Sequence, residues 1–314
     1  MKIGLIAPPD LDVTQFVGYA QRAERLGFDE LWVVEDCFFR GGIAQAAVAL
    51  AKTERIRVGI GVLPAAARNV AFAGMELATL AGMFPGRLLA GIGHGMPAWL
   101  RQAGEWPGSP LTLLREYFTT VRAILDGERV SFDGAGIQLR DVRLQSPPKV
   151  VPPLYAGVRG PKSLALAAEV ADGTILAEPV TPEYLRAVRE IVGAEHELIA
   201  YNVAAVDDSP DRARALARQA LSAIGEPDWA PHLAPLPFAD EFAALRKAAG
   251  SREEFAAALP DEWVDQLAVV GTPADVRARL AELEAAGAGH VVFIPAGPDP
   301  TTAVEALARV LPYR

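Results

Sequence analysis

The sequence predicts an α/β protein built as a single (β/α)8 barrel, also called a TIM barrel. Short apolar segments alternate with longer helical patterns almost throughout the 314 residues, which is the βαβα order of a parallel sheet covered by helices. The apolar segments are rich in Val, Ile and Leu and are continuous, as expected of strands that are buried on both faces. Eight such units over about this length favour a closed barrel over an open sheet.

The elements follow one another in a regular order along the chain. The strands are predicted in "KIGLIAP", "DELWVVED", "RIRVGIGVL", "GRLLAGIGHG", "PPLYAGV", "DGTILAE", "ELIAYNVAAV" and "GHVVFIP". The helices are predicted in "TQFVGYAQRAERLGF", "GIAQAAVALAKT", "AFAGMELATLAGMF", "LTLLREYFTTVRAILDG", "PKSLALAAEVA", "PEYLRAVREIVG", "DRARALARQALSAIG", "TPADVRARLAELEAAG" and "TTAVEALARVL". The chain therefore supplies enough strands and helices for a complete barrel.

Two segments depart from this repeat and are interpreted as insertions at about 129–152 and 226–267. In the first, two runs of period two flank "DGAG", which predicts a β-hairpin. The second contains Trp229, Trp263, several prolines and short helical pieces, and it is too long for a simple connection. We interpret it as a helical lid. Residues 1–314 are then expected to form one domain.

Composition excludes several classes of function. A formal charge of -9 and a pI of about 5.1 argue against a nucleic-acid partner or an anionic membrane surface. No apolar run is long enough for a signal peptide or a membrane span, and the one cysteine forms no internal disulfide, so a cytoplasmic location is expected. The four histidines have no paired spacing, and no zinc, nucleophile-elbow or P-loop motif is present. The chemistry is therefore expected to belong to a bound organic cofactor, with no metal.

The active site of such a barrel lies in the loops that follow the strands. After the fifth strand the chain runs through "GVRGPKS", where a helix begins between two cations, Arg159 and Lys162. Unpaired N–H groups at that helix start predict a phosphate cradle. The alternative is that the Gly-Pro pair only starts a helix.

The loop after the fourth strand is the second candidate. Gly91, Gly93 and Gly95 resemble a dinucleotide fingerprint, but Met96 stands where the last glycine is needed and no acidic ribose partner follows. The glycines instead permit close approach of a flat ring, with His94 as a hydrogen-bond or proton donor. A purely structural imidazole is the alternative for His94.

The motifs, taken in order, resemble the bacterial luciferase-like superfamily of flavin-dependent monooxygenases, and most closely its branch of oxidoreductases that use the deazaflavin coenzyme F420. The similar segments are "AQRAERLGFDELWVVED", "AKTERIRVGIGV", "ELATLAGMFPGRLLAGIGHG", "VRAILDGERVSFDG", "PPLYAGVRGPKSLALAAEVADGTILAE" and "VVGTPADVRARLAELEAAGAGHVVF". The barrel is the fold of that family. The resemblance implies F420-dependent hydride transfer to or from a small organic substrate. The alternatives are an FMN-dependent monooxygenase and a non-catalytic cofactor-binding paralogue.

The resemblance also implies roles for individual residues. Gly61 and Val62 match a non-prolyl cis peptide bond behind the isoalloxazine or deazaflavin ring, and the ring's edge is lined by Gly93, His94 and Gly95. The residues implied to bind the cofactor phosphate through backbone amides are Gly157, Val158, Arg159, Gly160, Pro161 and Lys162.

The segment after the second strand corresponds to the part of the family's site that faces the reactive carbon. It carries Glu35, Asp36 and Cys37, the candidates for catalysis together with His94. In several F420 enzymes a histidine occupies the position of Cys37, and the acid that follows the strand-4 glycines is replaced here by Met96. These departures shift the expected proton donor to Asp36 or His94.

Simpler roles are open for the same side chains. The two acids are expected either to act in catalysis, or to cap the next helix or pair with Arg40. Cys37 is either functional or an inert thiol. The aromatic side chains of Phe38, Phe39 and Trp99 either pack or form walls for a substrate.

The expected partners are a small molecule and a second copy of the chain. The arginines near the candidate mouth are dispersed, which favours a neutral or partly apolar substrate. The helix "AFAGMELATLAGMF" is unusually apolar for an outer layer, and this favours a homodimer, as does the resemblance.

Overall fold

Eight parallel strands close into a barrel in the structure, a computed structural model that describes residues 1–312. These strands are β1 (Lys2–Ile6), β2 (Glu30–Val33), β3 (Arg57–Pro64), β4 (Leu88–Gly93), β7 (Leu154–Gly157), β8 (Gly173–Leu176), β9 (Glu197–Val206) and β11 (His290–Pro295). Each pairs with the next along the chain, and β11 pairs with β1, so the barrel has no open edge. The predicted (β/α)8 fold is confirmed.

Helices cover the outside of the barrel. The helices of the described chain are α1 (Phe16–Leu26), α2 (Gly42–Lys52), α3 (Val70–Met83), α4 (Pro97–Gln102), α5 (Pro110–Leu125), α6 (Pro161–Val170), α7 (Pro182–Val192), α8 (Pro210–Ala220), α9 (Ala230–Leu233), α10 (Ala239–Ala248), α11 (Arg252–Ala258), α12 (Asp261–Leu267), α13 (Pro273–Ala285) and α14 (Pro300–Ala308). Several begin with proline after a capping Ser, Thr or Asp, a combination that fixes the helix start. The short helix α4 was predicted only as a loop.

Side chains from the strands fill the inside of the barrel. Trp32 is fully buried there, and its ring occupies the place of a side chain at Gly59, where a Cβ atom would lie 2.2 Å from the indole. Below it, at the N-terminal ends of the strands, His290 bonds to Glu30 and to Glu197. Side chains therefore fill the barrel interior at the N-terminal ends of the strands, and open space remains at the C-terminal ends.

Both predicted insertions have structures of their own. The first contains the antiparallel pair β5 (Val130–Asp133) and β6 (Gln138–Val142), which confirms the hairpin. The second contains a 3-10 turn at 227–229 and helices α9 to α12, which share an apolar cluster that includes Phe238, Phe242 and Trp263. The short strand β10 (Val269–Gly271) extends the sheet beside β9 and was not predicted, because three residues are too few for a strand pattern.

No helix within residues 1–312 has both the length and the apolar character needed to cross a membrane.

Candidate active site

A cavity of about 960 Å³ opens at the C-terminal end of the barrel. Its walls come from the end of β3 and from the loops after β2, β4, β7 and β8, and residues 226–229 of the second insertion cover one side. This is the face where the strand-end rule placed the site. A volume of this size is sufficient for a cofactor with a substrate beside it.

The N-terminus of α6 forms one wall of the cavity. Gly160 is the N-cap residue of α6 and, as a glycine, has no side chain to cap the helix. No other group lies within 4 Å of the position that a Cβ atom would take there. The carbonyl of Gly160 accepts the first helical bond, from the N–H of Leu164. The N–H groups that precede Leu164 in the first turn therefore donate no hydrogen bond to a capping side chain. Free N–H groups at the start of a helix are a common binding site for phosphate.

The end of β3, where the strand register shifts between Ile60 and Leu63, forms the wall beside Gly157 of β7. The peptide bond between Gly61 and Val62 is cis, which confirms the geometry implied by the resemblance. A Cβ atom on Gly157 would lie 2.3 Å from Cγ1 of Val62. The absence of a side chain at Gly157 is thus what allows the two walls to pack together.

Three of the residues predicted to bind the cofactor do not line the cavity: Gly93, Pro161 and Lys162. Gly93 is buried inside the sheet, where a Cβ atom would lie 2.6 Å from the carbonyl oxygen of Gly157, so its role is strand packing. The side chain of Lys162 is exposed on α6. The other predicted residues, which do line the cavity, are Gly61, Val62, Gly95, Gly157, Val158, Arg159 and Gly160.

His94 lies between the loop after β4 and the first turn of α6. Its Nε2 atom is 3.1 Å from Oγ of Ser163, and both residues line the cavity. Burial lowers the pKa of His94, so the imidazole is neutral at pH 7. The hydrogen bond supports the structural role, and the position of His94 on the cavity leaves the functional role open.

Glu35 makes structural contacts that the sequence did not identify. Its carboxylate accepts hydrogen bonds from both terminal nitrogens of Arg68, at 2.5 and 3.1 Å, and from the N–H of Gly42 at the start of α2, at 2.6 Å. The expected helix cap is confirmed. The expected pairing with Arg40 is wrong, because Arg40 donates instead to the carbonyl of Pro8.

Asp36 and Cys37 face the cavity next to Glu35. Burial raises the pKa of Asp36, which forms no ion pair with any described residue. Burial also raises the pKa of the Cys37 thiol, and the charges of Glu35 and Asp36 add to the effect, so the thiol is protonated at pH 7. This environment is the opposite of one that activates a cysteine.

Two residues on the cavity were missed by the sequence predictions. Glu178 follows β8 and precedes a cis proline, Pro179, and Tyr201 points into the barrel mouth from β9. The position of Glu178 at the end of a barrel strand was a signal that the strand-end rule offers. Tyr201 lies within a strand and carried no such signal.

The second insertion is fastened to the cradle by one arginine. The guanidinium of Arg159 donates to the carbonyl of Asp228 at 3.0 Å and stacks on the ring of Trp229, 5.1 Å from its centre. In the same insertion Glu226 pairs with Arg246 and Arg252. The helical segment thus meets the cavity wall next to the phosphate cradle, as a lid would.

Metal chemistry has no structural support in the part of the chain described. No group of three or more His, Cys, Asp or Glu side chains among those residues is arranged to hold a metal ion.

Comparison with known proteins extends these observations. Residues 1–290 match the sequence model of a family described as luciferase-like monooxygenase. The chain is 28% identical to the 5,10-methylenetetrahydromethanopterin reductase of Methanolobus tindarius, with 98% of this chain and 99% of the relative covered. It is 31% identical to the F420-dependent glucose-6-phosphate dehydrogenase of Microbacterium testaceum, with 54% of each chain covered.

A solved structure shows the same fold. The coenzyme F420-dependent tetrahydromethanopterin reductase of Methanopyrus kandleri superposes with a TM-score of 0.83 at 22% identity, covering 98% of this chain and 97% of that one.

Proposed function

The chain belongs to the luciferase-like monooxygenase family, and from this premise we propose that it is an F420-dependent oxidoreductase that transfers a hydride to or from a small organic substrate. The relatives that carry coenzyme F420 in their names, and the reductase that matches nearly the whole chain, support this choice of cofactor. Within the structure, the observation that carries the proposal is the uncapped start of α6 on the wall of a large cavity.

The cavity residues fit a phosphate-bearing ring cofactor. Gly160 leaves open space in front of the first turn of α6, where a phosphate would accept N–H hydrogen bonds. Val62 presents an apolar surface on which a flat ring would lie, and Gly157 allows that surface to approach the cradle. When bound, F420 supplies a carbon, C5, that accepts or donates a hydride.

The chain's own residues supply position and proton chemistry. The lid residues 226–229 cover one side of the cavity and limit access of water, which strengthens electrostatic interactions inside it. Asp36 lies on the cavity and retains a proton to a higher pH than an exposed aspartate. His94 is neutral and is oriented by Ser163. These residues orient the substrate and exchange a proton with it.

The substrate is neutral or partly apolar under this proposal. The basic side chains that line the cavity already have partners: Arg159 stacks on Trp229, and Arg252 pairs with Glu226. A phosphate or carboxylate on the substrate would have to break one of these contacts. Trp99 and Trp106 add aromatic surface to the wall.

The decisive variant for the cofactor site is Gly160→Val. At Gly160 φ is -91°, which a valine adopts without strain, and the added side chain projects into open space in front of the cradle. We expect F420 binding to weaken by at least about tenfold, or about 1.4 kcal/mol, with the thermal midpoint unchanged. Gly18→Val is the matched control, because Gly18 is exposed on α1 and also has no neighbour within 4 Å. Equal affinity in both variants would contradict the cradle.

The activity itself is tested by following hydrogen transfer. Oxidised F420 with deuterated propan-2-ol or glucose-6-phosphate, and reduced F420 with 5,10-methylenetetrahydromethanopterin, form the first panel. We expect deuterium to pass between the cofactor and the reacting carbon of a neutral substrate. Oxygen-dependent turnover with reduced FMN would identify the monooxygenase alternative, and cofactor binding without turnover of any substrate would support the non-catalytic one.

A further inference from the structure

Three polar side chains on the cavity form a cluster with few partners in the protein: Asp36, Glu178 and Tyr201. Neither carboxyl group forms an ion pair within residues 1–312. The hydroxyl of Tyr201 is buried and has no hydrogen-bond partner in the same range, and the whole residue is only 4% exposed. A buried hydroxyl left unpaired costs about 1 to 3 kcal/mol, so the packing around Tyr201 must hold it in this position.

The surrounding structure fixes the position of Tyr201. Its ring meets the ring of Trp32 edge-on, with 5.7 Å between centroids. A Cβ atom on Gly61 would lie 2.0 Å from the tyrosine hydroxyl, so the hydroxyl lies directly against the backbone of Gly61. This is the wall behind the proposed ring site. Tyr201 is therefore a rigid part of the floor of the cavity.

The charges around Glu178 favour retention of a proton. Burial raises the pKa of Glu178, and the negative charge of Asp36 raises it further, while its own N–H and the charge of Arg159 act in the opposite direction. His232 of the lid faces the same loop, with Nδ1 3.4 Å from the carbonyl of Pro179, and its pKa of about 3 makes it neutral. A carboxyl group in such a setting keeps its proton to a higher pH than an exposed glutamate does.

We propose that Glu178, which lines the cavity at the end of β8, is a further catalytic residue that holds a proton and exchanges it with the substrate. The inference rests on the proposed function, because it assigns the proton that must accompany the hydride. It also identifies a proton donor in a chain that has Cys37 at the position where several F420 enzymes carry a histidine. Glu178 thus adds a proton donor from the loop after β8 to the cavity that Asp36 and His94 also line.

The step balances for a substrate with a C=O or C=N bond. Its carbon gains a hydride from the reduced deazaflavin, and the π electron pair moves to the oxygen or nitrogen. The carboxyl group of Glu178 delivers its proton to that atom and becomes a carboxylate. In the oxidative direction the carboxylate takes the proton from the hydroxyl or amine as the carbon loses its hydride.

The first test uses the protein without cofactor. Infrared spectra at pH 7 are expected to show the C=O stretch of a protonated, buried carboxyl group, and Glu178→Gln is expected to remove it. Glu169→Gln is the control, because Glu169 is an exposed carboxylate paired with Arg115. Absence of the band from the wild type, or a band that persists unchanged in Glu178→Gln, would overturn the proposal.

The second test measures hydride transfer with whichever member of the substrate panel the wild type turns over. Glu178→Gln is expected to bind F420 within about threefold of wild type and to lower the rate by about 100-fold, the lower end of the range for general acid–base catalysis. Glu178→Asp is expected to recover part of the rate. A rate in Glu178→Gln within about threefold of wild type would overturn the proposal while leaving the proposed function intact.

Failure of the wild type to bind F420 would instead contradict the proposed function. The infrared band of the cofactor-free protein then decides by itself whether Glu178 holds a proton.

Discussion

At the scale of single residues, neighbouring acids in one loop have different tasks. Glu35 is held by Arg68 and by the N–H of Gly42, so its carboxylate is engaged in anchoring α2. Asp36 is the next residue and has no ion pair among the residues described, yet it faces the cavity. Residue type alone does not separate these roles. The contacts of each carboxyl group do.

The Cys37 thiol is expected to be dispensable. Because its pKa is raised by burial and by two neighbouring carboxylates, almost no thiolate exists at pH 7. Cys37→Ser should therefore keep the hydride-transfer rate within about twofold, and alkylation by iodoacetamide should accelerate only in alkaline buffer. Cys37→His should not raise the rate, since Glu178 supplies the proton. A drop of tenfold or more in Cys37→Ser would show that the thiol takes part.

At the scale of elements, the cradle and the lid are joined through Arg159. Its backbone belongs to the loop between β7 and α6, and its guanidinium holds Asp228 and Trp229. The apolar cluster of the lid also includes side chains of β9 and α8, so the lid helices are anchored to the barrel, and Arg159 holds the segment 226–229 against the cradle. A ligand at the cradle and the position of the lid are thus linked by one side chain.

Removing the aromatic ring of this clamp should loosen the lid. A cation–π contact is worth about 1 kcal/mol, so Trp229→Ala should increase the open fraction about fivefold. Limited trypsin digestion at Arg246, Lys247 and Arg252 should accelerate by that factor. Trp106→Ala is the control, since Trp106 stacks on Arg101 outside the lid. Equal cleavage rates in both variants would contradict the clamp.

At the scale of the whole molecule, the closed N-terminal end of the barrel contains a buried ionic network. His290 bonds to Glu30 and Glu197, and Tyr155 donates to Glu197 at 2.6 Å. Burial lowers the pKa of His290, but the bonds to the two carboxylates outweigh it and raise the pKa to about 9. The bond from His290 lowers the pKa of Glu197 to about 2.

Stability should follow these shifts. The contribution of His290 is complete below its ordinary value of 6.5 and is lost as pH rises through about 9, because the folded state then releases a proton it had held more tightly than the unfolded chain. Urea unfolding of the wild type should therefore show a fall in free energy between pH 6 and pH 9.5. His290→Gln should lower stability at pH 6 and show a smaller fall. An identical fall in both proteins would contradict the assignment.

The outer surface supports the homodimer that we propose. Phe72, Met75 and Met83 are exposed along one stripe of α3, and Val48 is exposed on the neighbouring α2. Sedimentation should show a dimer at micromolar concentration, and Met75→Glu should shift it to monomer. Val13→Glu, at an exposed apolar residue away from this stripe, should remain a dimer. A monomeric wild type would contradict the proposal.

Prediction from sequence succeeded where local pattern determines structure. Strands of a parallel barrel are continuous apolar runs, so all eight were identified, and the glycines of the α6 start identified one wall of the cavity. The ion pair of Glu35 with Arg68 joins residues that are 33 positions apart in the sequence. The position of Tyr201 beside the cavity depends on the curvature of the barrel. Neither follows from local pattern. Gly93 was predicted to line the edge of the ring, but it does not line the cavity. A glycine is required there because a Cβ atom would meet the backbone of the neighbouring strand.

The central claim is that this cavity holds F420. Titration of the purified protein with F420 and, separately, with FMN under the same conditions tests it most directly. We expect saturable F420 binding and FMN binding at least about tenfold weaker, a difference of about 1.4 kcal/mol. Tight binding of FMN with no binding of F420 would contradict it.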